Sequence, residues 1–192
     1  CTDPNPKHEG GGPDLLRNAG AEVELAPDSV RDEAERMNFI FNHNMRTSGP
    51  LIALKLAESA NGMVAERMGQ PSLVTGTEAR EDVMRWRRLF PAICAGAGTV
   101  LADDPSLTSR LPDETWCPVR ILVDSSLSTF GNQVGPRKVN VDEFSDRSVV
   151  LTTAKGMGNV ERVARAKDLG IRLIEVDESG GGGVDPSCFH SV

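Results

Sequence analysis

Residues 92–124 read AICAGAGTVLADDPSLTSRLPDETWCPVRILVD, two short apolar runs separated by a stretch rich in Gly, Asp and Pro. Apolar runs of four to eight residues bounded by turn residues are the mark of strands buried in a sheet. They predict strands over Ala92–Ala95 and Val119–Asp124. Downstream the pattern recurs at Val149–Thr152 and Ile171–Val176, with a helix between them from Val160 to Leu169 that Gly170 stops. Upstream, Leu51–Ala57 has the same strand character, and Thr77 is placed to cap a helix through Ala79, Val83 and Trp86. Alternating β and α units of this length argue for an open, mostly parallel sheet with helices on its faces.

Before this core, Cys1–Gly12 reads as a loop, and Pro13 opens a short helix through Leu15 and Leu16 that Gly20 ends. A strand over Glu22–Leu25 and a helix from Asp28 to about His43 follow, the latter with Val30, Ala34, Met37 and Ile40 near helical spacing. Arg46-Thr47-Ser48-Gly49-Pro50 is a helix stop and a boundary, dividing the chain into 1–46 and 47–192. Gly180-Gly181-Gly182-Gly183 is the single low-complexity run, and Val192 falls where the alternation asks for another helix, so the second domain is expected to be incomplete.

Composition narrows the function. With 21 Lys and Arg against 28 Asp and Glu, a net charge of −7, and its basic residues spread along the chain, the protein offers no broad cationic face to nucleic acid. The uncharged stretch Leu89–Ala102 holds Pro91, Gly96 and Gly98 and is shorter than the roughly 18–20 apolar residues of a membrane crossing. No signal peptide is visible after Cys1. Cys1, Cys94, Cys117 and Cys188 lie far apart, as do His8, His43 and His190, which suits reduced thiols in a cytoplasm and predicts no zinc site.

Three segments carry candidate chemistry. Lys55 sits inside the apolar run Leu51–Ala57, where it either meets a partner or cavity or faces outward from a half-exposed strand. Gly96-Ala97-Gly98-Thr99 leaves a strand through two glycines that let backbone N–H groups approach a phosphate, or simply turn the chain; the third glycine of a dinucleotide fingerprint is replaced by Leu101. Arg80, Arg85, Arg87 and Arg88 on one helix, with Arg110 beyond the Asp-Pro turn, form an anion pocket or a solvated face.

Together these segments resemble the reductase domain of the bifunctional riboflavin-biosynthesis deaminase/reductase family. The residues that carry the resemblance are Leu54-Lys55-Leu56-Ala57 with Ser59 and Asn61-Gly62, Val74-Thr75-Gly76, Ala79-Arg80, Val83, Arg87, and Pro118-Val119-Arg120 leading to Asp124. Above all it rests on Gly98-Thr99-Val100-Leu101-Ala102-Asp103-Asp104-Pro105 followed by Leu107, Thr108 and Arg110. Asp3-Pro4-Asn5-Pro6, Leu15-Leu16 and Ala19-Gly20 resemble the closing segment of the family's deaminase domain. The resemblance implies a dihydrofolate-reductase-like α/β fold, an open, mostly parallel sheet with helices on both faces, preceded by the C-terminal remnant of a cytidine-deaminase-like domain.

It further implies an NADPH-dependent reduction of 5-amino-6-(5-phosphoribosylamino)uracil to the ribitylamino product. Ala57, Thr99, Asp103 and Ser125 would line the NADPH site. Arg87, Leu107 and Arg110 would hold the substrate, and Ser72 would recover a substrate contact in a loop that Pro71 re-aims. Lys55 is the candidate catalytic group, near the uracil or the transferred proton. Sheets of the family commonly pair into homodimers. The departures are as specific: the deaminase's His-x-Glu and Pro-Cys zinc signature and the reductase's later Glu-Gly-Gly segment are absent from these 192 residues, Asn61 stands where the family usually has Asp, and Pro71-Ser72-Leu73 replaces a Ser and a Trp spaced two apart. A truncated, non-catalytic reductase-like module that binds a nucleotide or a partner is the alternative reading, in which these 192 residues alone are inactive.

Overall fold

The computed structural model describes residues 3–5, 7, 11–67 and 73–190. The described residues fall into two compact units that divide between Leu54 and Lys55. In the first, α1 (Gly11–Asn18), α2 (Asp28–Met37) and α3 (Phe39–Arg46) contain no buried residue. The single helix expected over 28–43 is two helices, because Asn38 turns its Nδ2 onto the Ala34 carbonyl at 3.0 Å and leaves helical geometry at φ −108° and ψ 22°. An asparagine amide that competes with the backbone for hydrogen bonds is a known helix breaker. Pro27 is the N-cap, and Asp28, the first helical residue, pairs with Arg31 at 3.1 Å. The strand expected at Glu22–Leu25 does not form; the segment is irregular and Leu25 is exposed.

The second unit is built on the expected parallel sheet. After α4 (Thr77–Leu89) come β1 (Ala92–Gly96), α5 (Ala97–Asp103), the hairpin β2 (Ser109–Leu111) and β3 (Glu114–Trp116), and β4 (Val119–Val123). Then follow α6 (Lys138–Val141), β5 (Ser148–Thr152), α7 (Ala154–Met157), α8 (Val160–Asp168) and β6 (Arg172–Glu175). The four-stranded sheet runs β1-β4-β5-β6 with every pairing parallel. Register sets Ala95 beside Leu122, Leu122 beside Val150 and Val150 beside Leu173, so this row of one sheet face is apolar across all four strands. Val100 of α5, Val139 of α6 and Ala166 of α8 pack into that face with Leu107, Leu127 and Phe130.

Leu51–Ala57 is irregular rather than a strand, and Ile52, Leu54 and Leu56 are 68%, 82% and 65% exposed. Its apolar run has the character of a strand, but no ladder among the described residues satisfies its N–H and C=O groups.

The turn after β4 is fixed by Asp124, which is buried. Its Oδ1 accepts from the Ser128 N–H and hydroxyl at 2.8 and 2.9 Å, and its Oδ2 from the Thr129 N–H and hydroxyl, both at 2.8 Å. An asparagine amide in its place would present its NH2 to groups that already donate. Asp124→Asn is therefore expected to cost about 1–3 kcal/mol. Urea denaturation checks it, and an unchanged midpoint would show that the turn holds without the carboxylate.

Candidate functional site

Parallel strands bring their carboxyl ends to one edge of the sheet, and here Gly96 of β1 lies in register with Val123 of β4. The chain leaves these two strands side by side, into Thr99 on one and Ser125 on the other. Thr99 and Asp103, both exposed, sit in the first turn and at the end of α5. A Cβ added at Gly96 or at Gly98 would meet no atom within 4 Å, so the two glycines leave open room against the backbone. The Ser125 carbonyl accepts from the Thr152 and Thr153 hydroxyls at 3.2 and 3.0 Å, which pins its main chain while its own hydroxyl takes no partner among the described residues. Hydroxyls and one carboxylate around an open backbone approach fit the sugar and phosphate of a nucleotide cofactor.

A second group is cationic. Arg87, at the C-terminal end of α4, donates Nη1 to the Thr108 carbonyl at 2.7 Å and is half-buried. Burial holds its guanidinium pKa below the ordinary value, and the neighbouring Arg110 charge adds to the effect. The helix and the loop are stitched together beside them: Ser109 Oγ donates to the Met84 carbonyl at 2.7 Å, and Arg88 pairs with Glu114 at 2.9 Å. Arg80 is turned onto the Thr75 carbonyl and the Thr77 hydroxyl. Neither Arg87 nor Arg110 meets a carboxylate among the described residues. Two like charges held together without a counter-ion are suited to an anionic ligand. Leu107 places its side chain in the core at φ 54°, so it offers a ligand its main chain only.

Thus Arg87, Leu107 and Arg110 are brought together around one loop, Thr99 and Ser125 follow the carboxyl ends of β1 and β4, and Asp103 closes α5. Lys55 and Ala57 are not drawn into either group. Lys55 is exposed on the irregular segment and forms no ion pair or hydrogen bond among the described residues. Ser72 lies outside the described residues. Ser59 and Asn61 close a local turn, with Ser59 Oγ donating to Asn61 Oδ1 at 2.6 Å. Among the described residues no group of three His, Cys, Asp or Glu converges on a metal position, and no helix is long and apolar enough to cross a membrane.

The family model described as the RibD C-terminal domain matches residues 50–178, two thirds of the chain. The chain belongs to that family. The riboflavin biosynthesis protein RibD of Bacillus amyloliquefaciens is 37% identical over 175 residues, which cover 91% of this chain and 45% of the relative. Among solved structures, RibD of Acinetobacter baumannii superposes with a TM-score of 0.64 at 28% identity, covering 92% of this chain and 47% of that one. A diaminohydroxyphosphoribosylaminopyrimidine deaminase/5-amino-6-(5-phosphoribosylamino)uracil reductase of Thermotoga maritima gives 0.65 at 28% identity, over 90% and 51%. The chain therefore spans about half the length of the RibD relatives it matches.

Membership in the RibD C-terminal domain family agrees with the parallel α/β sheet. The sequence alone does not single out Met84, and although Thr108 and Arg120 carry the resemblance it does not show that the Thr108 carbonyl and the Arg120 guanidinium hold this loop. For Arg120 a signal exists, since it is a charged residue inside the apolar run Val119–Val123.

Proposed function

We propose that the chain is the reductase part of a RibD protein, using NADPH to reduce 5-amino-6-(5-phosphoribosylamino)uracil at its ribosyl carbon. The observation that carries this reading is the uncompensated pair Arg87 and Arg110, the latter at the far end of the loop that starts at Asp103. When bound, NADPH supplies the hydride; a proton balances the product. Thr99, Asp103, Ser125 and Ala57 bind the cofactor, Asp103 suiting sugar hydroxyls rather than phosphate because carboxylate and phosphate are both anionic. Arg87 and Arg110 grip the 5-phosphate, and Ser72 adds a substrate contact. Fixing the substrate at both poles turns the reaction into a positioning problem, which supplies several kcal/mol of the barrier. Lys55, on its exposed segment, is assigned to the proton side of the reaction.

In this reading residues 1–46 are the closing part of a deaminase domain and 47–192 belong to the reductase domain. The protein works in the cytoplasm as a homodimer. Calorimetry on the chain tests the two poles separately: NADPH is expected to bind more tightly than NADH, and ribose 5-phosphate more tightly than ribose. Equal affinity for ribose 5-phosphate and ribose would remove the phosphate assignment.

A further inference from the structure

Arg120 is the second residue of β4 and is wholly buried. Its guanidinium forks onto Asp142, Nη1 to Oδ2 at 2.7 Å and Nη2 to Oδ1 at 2.8 Å. Nη2 also donates to the Phe144 carbonyl at 2.6 Å, and Nη1 to the Ser106 carbonyl at 3.1 Å. Asp142 closes the single turn of α6 by donating its N–H to the Lys138 carbonyl at 2.9 Å. Lys138, one helical turn earlier, donates its own N–H to Asp104 Oδ1 at 2.8 Å, with its Nζ 3.7 Å from Oδ2. The turn of α6 therefore reaches the loop after α5 at two points, Asp104 directly and Ser106 through Arg120.

Those two points lie on a strained stretch of backbone, one at its first strained residue and the other next to its second. Asp104 stands at φ 43° and Leu107 at φ 54°, a left-handed conformation that residues bearing a Cβ adopt at a cost and keep only where their surroundings hold them. An ion pair with one charge buried and its partner partly exposed, as Arg120 and Asp142 are, is by itself a poor source of stability, since taking the guanidinium out of water offsets much of the attraction. Stability therefore does not account for a guanidinium at this position; the directed hydrogen bonds of its planar fork do.

We propose that Arg120 and Asp142 are positioning residues, a buried guanidinium clamped by a partly exposed carboxylate, that together hold the segment Asp103–Arg110 in the shape its ligand-facing residues require. The proposal rests on the reading of that segment as the place where cofactor and substrate phosphate meet the chain. On this proposal their role is not ligand contact: Asp142 orients Arg120, and Arg120 holds the Ser106 carbonyl next to the Leu107 turn.

Amide hydrogen exchange and ribose 5-phosphate affinity, measured on the full chain, test it. Asp142→Asn is expected to speed exchange over 104–110 at least about fivefold while β4 and β5 keep their protection, since a local opening needs no global unfolding. It should weaken ribose 5-phosphate about tenfold, and Asp142→Glu, which restores the carboxylate, should recover most of both losses. Leu173→Ala, which trims a core residue of β6, serves as the purely structural comparison: it should lower the melting temperature and leave both readouts alone. Exchange over 104–110 within twofold of wild type in Asp142→Asn, or raised equally by Leu173→Ala, would overturn the proposal. If Asp142→Asn does not fold, Arg120→Lys decides by the same readouts, because an ammonium cannot span Asp142, Phe144 and Ser106 together. Should wild type fail to bind ribose 5-phosphate, the phosphate reading fails, and the exchange comparison alone still supports or rejects the pair.

Discussion

Replacing Arg110 by alanine is expected to lower kcat/KM for the phosphorylated substrate about ten- to a hundredfold, because a charge-assisted hydrogen bond contributes about 1.5–3 kcal/mol and each 1.4 kcal/mol is a decade. Arg87→Ala should do the same and destabilise the domain besides, since Arg87 also holds the Thr108 carbonyl at 2.7 Å. The dephosphorylated substrate provides the discriminating comparison. It already lacks the group that Arg110 is said to grip, so the mutation should change its kcat/KM by less than about twofold, as for an ordinary surface substitution. An equal loss with both substrates would move Arg110 from ligand binding to loop structure.

The second large effect concerns Gly156, buried in α7 directly after β5. A Cβ there would run into Thr152 Oγ1 and come within 2.8 Å of the Ser125 carbonyl and 3.3 Å of Leu127 Cγ. Two of these are the groups whose 3.2 Å hydrogen bond ties the end of β5 to the turn after β4. Gly156→Ala is expected to cost about 2–3 kcal/mol by overpacking, which for a chain of this size is a fall of about 5–10 °C in Tm. Because Ser125 must shift, NADPH affinity should fall with it. Gly180→Ala, where an added Cβ meets nothing within 4 Å, should be close to neutral. Similar melting temperatures for the two variants would show that the Thr152 contact relaxes freely.

The core strands are legible because a parallel sheet buried by helices writes itself as short, continuous apolar runs. All four strands of the sheet lie within about a residue of their expected positions. Helix α5 is not legible: Ala97-Gly98-Thr99 has poor helix propensity, and the helix is held by Val100 inserting into the core. The hairpin of β2 and β3 escapes because three-residue strands are too short to show alternation, although Pro112-Asp113 between them is a turn signal.

Two cations in apolar runs show the limit most clearly. By sequence alone, Lys55 and Arg120 pose the same question of where a charge among aliphatic residues finds its partner. Lys55 is exposed on a segment that forms no strand, whereas Arg120 is buried with its carboxylate 22 positions away at Asp142. Only tertiary pairing separates the two, and it is invisible to local pattern. In the same way, Arg87 and Arg110 stand 23 positions apart in the sequence and come close only because the hairpin folds back on α4.

The chain, supplied with NADPH and 5-amino-6-(5-phosphoribosylamino)uracil, should consume one NADPH for each ribitylamino product formed, followed together by nicotinamide absorbance and mass spectrometry of the product. A product two hydrogens heavier than the substrate, formed in step with NADPH oxidation, is the predicted result. NADPH and substrate both bound, with no NADPH oxidised and no reduced product, would contradict the assignment of this domain as a reductase.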